Sequence, residues 1–291
     1  MTAVPENEYY LLGRNSVETQ RLDEQHNFLT DLCGGSLISK SISEDKIFSI
    51  ADVATGTGVW LRDVKAHLDS THPTGPSKPR YYHGFDLSDA QYPTNQGLDG
   101  INYSLHDCLK PFPVEHHNRY DLVHVRLLVA AIKETEFKLI VANLKPLLKR
   151  GGYLQWEDLD LKSFLTSHEP KYDSFPTIQT LRLCIETQIG YDASPHVPET
   201  VADAARENGF ADVIHILYNT KDRPEMAEQV LNWVSKVMAP LLRAILGRTG
   251  RAKNEEDLQA HTQSHLDGLR TSFERGLAPN GAMGMVIARK E

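Results

Sequence analysis

The stretch Ile50-Ala51-Asp52-Val53-Ala54-Thr55-Gly56-Thr57-Gly58-Val59-Trp60 sets the strongest limit on how this chain can fold. A short apolar run ends in an acid, passes into small residues and glycines, and enters an amphipathic segment. That order predicts a buried strand, a tight turn and a helix start. Gly56 and Gly58 lack a Cβ, so the backbone can bend sharply and a ligand can approach it closely. The turn aims free N–H groups of the following helix into the crevice at the strand's carboxyl end, where open α/β sheets bind ligands.

Two ligand classes use such a turn. A dinucleotide fingerprint beginning at Gly56 needs a third glycine at position 61, which is Leu61 here. An acid at the strand end followed by small-x-Gly-x-Gly suits S-adenosylmethionine better. That cofactor carries no phosphate, and its ammonium group favours a carboxylate such as Asp52. A turn with no ligand at all uses the same residues, so the rest of the chain decides.

With 291 residues the chain is long enough for one large domain or two small ones, and for a sizeable core. The formal net charge of −8 argues against nucleic acid, which needs a basic footprint. Cys33, Cys108 and Cys184 are odd in number and widely spaced, so neither a disulfide framework nor a zinc site is expected. The polar, acidic start, Met1 to Glu8, does not read as a signal or transit peptide. No apolar run nears the ~18 residues of a membrane span. The C-terminus, Ala288-Arg289-Lys290-Glu291, carries no lipidation or retention signal. The compartment expected is the cytoplasm, with the nucleus as alternative. The partner expected is a small molecule, with no membrane and with a homodimer left open.

A first helix is predicted from Asn15, with Glu18 as capping partner and Gly34-Gly35 as the stop. It is either a plain cover, or one from which Arg21 or His26, or Tyr10 just before it, closes over the cofactor's carboxylate end. After the glycine turn, Trp60, Leu61, Val64 and Leu68 keep helical spacing. The proline-rich stretch from Asp69 to Pro79 is a surface loop. Tyr81 to Asp86 is a second strand that also ends in an acid. Such an acid accepts hydrogen bonds from two vicinal ribose hydroxyls, or else caps the next turn. Asp86 lies 28 positions after Gly58, beyond the ~20 of a compact fingerprint, and the proline loop accounts for the excess.

Ile101 to Asp107 alternates as a third strand, again ending in an acid and followed by Cys108. Tyr120 to Arg126 is a fourth, too apolar for an exposed edge. Phe137 to Leu148 is a helix expected to absorb Pro146 as a kink and to stop at Gly151-Gly152. Tyr153 to Asp158 is a fifth strand. Strands separated by helices imply right-handed crossovers and a parallel sheet. The alternation then breaks. A helix is read over Val201 to Asn208, a strand over Val213 to Tyr218, an amphipathic helix from Val230 to Ile245, and a terminal strand over Met283 to Ala288. The expected fold is α/β: a Rossmann-like sheet, mostly parallel with an antiparallel last strand, helices on both faces and a helical lid. Residues 1–45 form a helical cover and 46–291 the cofactor-binding domain, with lid insertions near 161–195 and 222–276.

This pattern resembles the class I S-adenosylmethionine-dependent methyltransferases, especially the fungal Ustilago-methyltransferase-like group that includes gliotoxin-type natural-product N-methyltransferases. The resemblance rests on Tyr10-Leu11-Leu12-Gly13-Arg14, Glu18 through Arg21-Leu22 to Gln25-His26, Asp52 to Gly58, Gly84-Phe85-Asp86-Leu87-Ser88, Tyr120 to Arg126 and Leu148 to Glu157. These cover roughly the first half of the chain. Ala54 departs from the glycine usual in the class, and alanine fits there if its φ is negative. The resemblance implies that Asp52 and the backbone from Ala54 to Gly58 hold the methionine end, and that Asp86, with Leu87 beside it, holds the ribose. Asp107 and the Cys108 backbone would read the adenine edge. The backbone near Val125 would receive the ammonium, and Arg126 and Trp156 to Asp158 would face the methyl group.

Methyl transfer to a hydroxyl or amide needs a base, worth roughly 100- to 10,000-fold. His124, Glu157 and Asp158 are the candidates. Equally, His124 can be a satisfied core histidine, and the two acids can simply cap a turn. His261 and His265 share i, i+4 spacing but lack a third ligand, so a solvated helix face is expected and no metal. His116-His117 is expected to face solvent. Trp233 or Met238 is expected to serve lid packing, or else an apolar substrate pocket. Lys221, Arg223, Arg243, Arg248, Arg251 and Lys253 are expected on a solvated surface. The expected activity is methylation of a nitrogen, or an oxygen, of a small fungal secondary metabolite. The rivals are a regulator acting through protein partners and a cofactor-binding cyclase.

Overall fold

Seven strands form a single sheet: β1 (Ser49–Val53), β2 (Tyr81–Asp86), β3 (Ile101–Leu105), β4 (Tyr120–Arg126), β5 (Leu148–Leu159), β6 (Ala211–Asn219) and β7 (Ala282–Arg289). Their order across the sheet is β3-β2-β1-β4-β5-β7-β6. The first five run parallel, and β7 is antiparallel to both β5 and β6. This is the fold expected from the sequence. The computed structural model describes residues 13–75, 79–94, 99–166, 168–221 and 223–291. Tyr10 and the N-terminal dozen lie outside the described residues, as does part of the proline loop.

Strand order reverses between β1 and β4, because β1 continues to β2 on one side while β4 and β5 lie on the other. Open α/β sheets bind ligands at such a switch point, beyond the strands' carboxyl ends. β1 is buried along its whole length, as a central parallel strand covered on both faces must be. The helix after the glycine turn, α2 (Val59–Thr71), buries Trp60, Leu61, Val64 and Leu68 against the sheet. Each such side chain contributes roughly 1.5–3 kcal/mol of transfer free energy. Leu61 is fully buried where a dinucleotide turn needs glycine.

The cover helix α1 (Ser16–Leu32) begins as expected. Asn15 Oδ1 accepts the Glu18 N–H at 3.0 Å, and Gly34 and Gly35, both at positive φ, stop the helix. The carboxylate of Glu18 turns to Arg21. Helix α3 (Phe137–Leu144) departs from expectation. It ends before Pro146, which lies in a 3-10 turn (Lys145–Leu147) where its missing N–H costs no helical bond. No kink is needed, and β5 starts at Leu148, before the glycine pair. Gly151 and Gly152 form an irregularity inside β5. A Cβ on Gly152 would lie 3.0 Å from the carbonyls of Lys149 and Tyr120, so glycine permits that close approach.

The inserted segments are helical. α4 (Leu161–Thr166), α5 (Pro176–Gly190) and α6 (Val197–Glu207) follow β5, and α7 (Ala227–Arg248) and α8 (Glu255–Glu274) separate β6 from β7. With its preceding turn, α7 is long and apolar enough by composition to cross a membrane. Its Val230, Leu231, Val234, Leu242 and Ile245 are instead buried against α1, α5 and α8. Two residues of the basic group are paired: Arg223 donates to the Asp31 and Leu32 carbonyls, and Arg243 to Glu255.

Candidate functional site

A cleft of about 440 Å³ opens at the carboxyl ends of β1, β2 and β4. Its floor is the glycine turn. Ala54 has φ +58°, against the negative value expected for an alanine there, and Gly56 and Gly58 have +55° and +71°. The turn therefore runs through three left-handed residues, and Ala54 carries the steric cost that glycine avoids. A Cβ on Gly58 would lie 2.6 Å from Tyr103 Oη.

Asp86 secures this turn. Its Oδ2 accepts the Gly56 N–H at 2.8 Å, and its Oδ1 accepts the Ser88 N–H at 3.2 Å. Burial pushes the Asp86 carboxyl above its usual range. Asp107 lies two residues past β3, and its Oδ1 accepts the Leu109 N–H at 3.0 Å. Asp52, Asp86, Leu87, Asp107 and Cys108 all line the cleft. Leu87 is 63% exposed at its mouth.

A buried polar chain joins the tips of the central strands. Asp52 Oδ2 accepts the Thr55 hydroxyl at 2.6 Å, and Asp52 Oδ1 lies 2.7 Å from His124 Nδ1. The His124 ring stacks on Trp60 with centroids 3.5 Å apart. Its Nε2 lies 3.8 Å from Glu157 Oε1, beyond hydrogen-bond reach and without a partner among the described residues, while that oxygen accepts the Gln155 amide at 2.7 Å. Burial alone would lower the imidazole, yet the hydrogen bond to Asp52 and the nearby Glu157 carboxylate outweigh it and raise His124. Burial would likewise raise Glu157, but the imidazole holds it low.

The cover helix completes the wall. Arg21 is held by Glu18 through Nε (2.8 Å) and Nη2 (2.5 Å), and its Nη1 donates to Gln25 Oε1 at 2.7 Å. The same Gln25 oxygen accepts the Trp233 indole N–H at 3.0 Å. His26 is buried between Asp63 (3.0 Å) and Arg126 (2.9 Å), and burial together with the Arg126 charge lowers its pKa. Arg21, Gln25, Arg126 and Trp233 line the cleft.

Of the three candidate bases, His124 lines the cleft, whereas Glu157 and Asp158 are not among its lining residues. Asp158 accepts four N–H groups, from Leu128 (2.9 Å), Val129 (3.3 Å), Leu159 (2.9 Å) and the Trp156 indole (3.2 Å). Burial pushes its carboxyl up to about 7, although every one of these donors favours the carboxylate. Its contacts hold the segment after β4, where Leu127 has φ +60° and lines the cleft. Gly58 and Val125 shape the backbone beside the cleft without lining it. Trp233 and Val237 reach the cleft from α7, but Met238 does not.

Gln25 was quoted only for the family likeness and given no role at the site, although it lies one helical turn beyond Arg21, which puts both on one face. Arg14, quoted only for the family likeness, lines the cleft as well. His116 does not simply face solvent: it packs edge-on against His83 and Phe85, and its Nδ1 lies 2.8 Å from the Tyr120 hydroxyl. His265 bonds Thr180 at 2.8 Å and His261 approaches Asp257 at 3.4 Å. No group of three metal-ligating side chains occurs among the described residues.

No family model matches the chain. It is 32% identical over 290 residues to the methyltransferase grgD of a Penicillium species, spanning 99% of this chain and 98% of that protein. It is 28% identical over 165 residues to the N-methyltransferase verN of Clonostachys rogersoniana, spanning 56% and 54% of the two chains. Among solved structures, Haemonchus contortus phosphoethanolamine N-methyltransferase 2, in complex with phosphomonomethylethanolamine and S-adenosylhomocysteine, superposes with a TM-score of 0.52 at 14% identity. That match spans 99% of this chain and 61% of the other, and supports the fold. Near-complete alignment with grgD agrees with the glycine turn, the strand order and the cleft at the switch point: the chain belongs to the fungal family of class I methyltransferases.

Proposed function

We propose that the protein is an S-adenosylmethionine-dependent methyltransferase acting on a nitrogen, or an oxygen, of a small molecule of specialised metabolism. One observation carries this reading: a carboxylate stands at or just past the tip of each of three adjacent strands, Asp52, Asp86 and Asp107, and all three line one cleft. Carboxylates suit a cationic sulfonium nucleoside with free ribose hydroxyls and repel a pyrophosphate. Leu61 occupies the position where a dinucleotide turn needs its packing glycine.

When bound, the cofactor supplies a methyl group already activated on a sulfonium. The protein's part is alignment and exclusion of water, worth ~7–11 kcal/mol of barrier. Asp52 and the 54–58 backbone would hold the amino-acid end, Asp86 the ribose, and Asp107 with the Cys108 backbone the base. Leu127, Leu159, Trp233 and Val237 supply an apolar wall for the acceptor. The Asp52 bond orients the His124 ring, whose buried Nε2 faces the Glu157 carboxylate 3.8 Å away. Action in the cytoplasm or nucleus fits the net charge of −8 and the free thiols of Cys33, Cys108 and Cys184.

The test is incubation with methyl-labelled S-adenosylmethionine and a fungal metabolite extract. Label in a small product supports the proposal. Product without label would favour a cyclase, and capture of a protein without turnover would favour a regulator; either result refutes it.

A further inference from the structure

The arginines of the cleft wall are not used alike. Arg21 is spent within its own helix, since Glu18 binds it at two points and Gln25 takes a third N–H. Arg126, at the tip of β4, also lines the cleft. Among the described residues its bond runs from Nη2 to His26 Nδ1, at 2.9 Å. A guanidinium only donates, so Nδ1 must be the accepting nitrogen of a neutral ring. The ring proton then sits on Nε2, which donates to Asp63 Oδ2 at 3.0 Å. This tautomer follows from the chemistry of the two neighbours. Burial and the Arg126 charge both act to keep the ring neutral.

Asp63, His26 and Arg126 thus form a chain from the surface into the cleft. The Asp63 side chain is 48% exposed and that of His26 only 2%. His26 fixes the direction of the guanidinium without cancelling its charge, as a carboxylate would. Glu157 acts on Arg126 through space, and its Oε1 is already engaged by the Gln155 amide. A guanidinium carries its N–H groups in a rigid fork that matches the two oxygens of a carboxylate. The rest of the Arg126 fork has no partner among the described residues.

We propose that Arg126 is the carboxylate anchor of the cleft, and that His26, held by Asp63, is its positioning residue. The carboxylate is the one at the cofactor's amino-acid end or one borne by the acceptor, and both present the same pair of oxygens. The sequence places Arg21 or His26 over the cofactor's carboxylate; in the structure Arg21 is already paired, and His26 acts through Arg126. The proposal deepens the methyltransferase reading and rests on it.

The experiment uses the full chain and two matched pairs of ligands. Calorimetry compares S-adenosylhomocysteine with its decarboxylated analogue, which keeps the ammonium. Ligand-observed NMR on protein saturated with S-adenosylhomocysteine compares phenylacetate with phenylacetamide. In at least one pair the acid should bind at least about tenfold more tightly, about 1.4 kcal/mol. An advantage in the first pair identifies the cofactor as the source of the carboxylate, and one in the second identifies the acceptor. Arg126→Gln should erase the advantage. His26→Phe should reduce it about fivefold, the worth of one hydrogen bond. His26→Asn keeps an accepting oxygen near the place of Nδ1 and should restore it, which a histidine that only fills space does not require. Equal binding within both pairs by the unmodified protein overturns the proposal, and that measurement needs no variant to fold. An advantage that survives Arg126→Gln, that His26→Phe leaves whole, or that His26→Asn fails to restore also overturns it. If neither S-adenosylhomocysteine nor its analogue binds, the cofactor reading fails and the proposal falls with it, a result distinct from equal binding of the two.

Discussion

The glycine turn can be tested one residue at a time, because φ and the space around each Cβ separate two costs. Gly56→Ala leaves an alanine at φ +55° with its Cβ 3.6 Å from Leu22 Cδ1, an ordinary contact. Only the backbone penalty applies, roughly 1–2 kcal/mol, offset by about 0.4–1 kcal/mol because alanine restricts the unfolded chain. Gly58→Ala carries the same backbone penalty at φ +71° and adds overlap with Tyr103 Oη at 2.6 Å and Cε1 at 3.0 Å. The Tyr103 ring cannot retreat freely, since it already packs against the Tyr92 ring with centroids 5.0 Å apart. Overpacking of this kind costs about 1–3 kcal/mol, so Gly58→Ala should be the more damaging by about that margin. Ala54→Gly runs the other way: it relieves φ +58° and should stabilise the fold by about 0.5–1 kcal/mol once the added unfolded-state entropy is subtracted. Urea denaturation gives the three stabilities, and calorimetry with S-adenosylhomocysteine gives the effect on the site. Equal losses for Gly56→Ala and Gly58→Ala would refute the role given to Tyr103. A destabilised Ala54→Gly would refute the strain assigned to Ala54.

Asp86→Ala should weaken binding of S-adenosylhomocysteine by about 1–3 kcal/mol, as ribose hydroxyls and the Gly56 N–H lose their acceptor; an unchanged calorimetric affinity would contradict the assignment. Asp158→Asn leaves one oxygen to serve four N–H donors and should cost about 2–4 kcal/mol in denaturant stability, with turnover recovering in proportion to the folded fraction; lost turnover in fully folded protein would instead mark Asp158 as catalytic. His124, raised above 6.5, contributes stability that is full below that value and is lost as pH rises through the folded pKa. Glu157, held below 4.5, contributes stability that is present above 4.5 and is lost as pH falls through its folded pKa. Denaturation across pH should therefore show an alkaline decline that His124→Gln flattens, and an unaltered alkaline limb in that variant would exclude the charged imidazole.

The parallel half of the sheet was legible because each strand is a short apolar run bounded by a turn signal, and because its carboxyl end carries an acid. What the sequence concealed was set by contacts distant in the chain. The φ of Ala54 depends on the turn closing onto Phe85 and Asp86, with Thr55 N–H bonded to the Phe85 carbonyl at 3.0 Å. Pro146 suggested a kink because a 3-10 turn and an interrupted helix share one pattern over three residues. The glycine pair at 151–152 resembled a helix stop, yet its purpose is close approach to the Tyr120 carbonyl across the sheet. Gln25 was hidden for the same reason: nothing near it in sequence reveals that its oxygen is claimed by Trp233, more than two hundred residues away.

The buried chain at the switch point shows why the acids can coexist. Asp52 and Glu157 sit 3% exposed on strands flanking β4, where two carboxylates with nothing between them would force one to take up a proton. The His124 imidazole lies between them, and its hydrogen bond to Asp52 together with the Glu157 charge 3.8 Å away outweighs the burial that would lower its pKa. Thr55 and Gln155 occupy further lone pairs on the two acids, so the ions remain hydrogen-bonded away from water. Such a chain need not add net stability, since desolvation of three ionisable groups offsets much of their attraction. What it does fix is geometry: β1, β4 and β5 cannot shift in register without separating a charge from its partner. The turn that would hold the cofactor and the strand ends that would face the acceptor are thereby locked to one another, and a reaction that relies on alignment requires that of its scaffold.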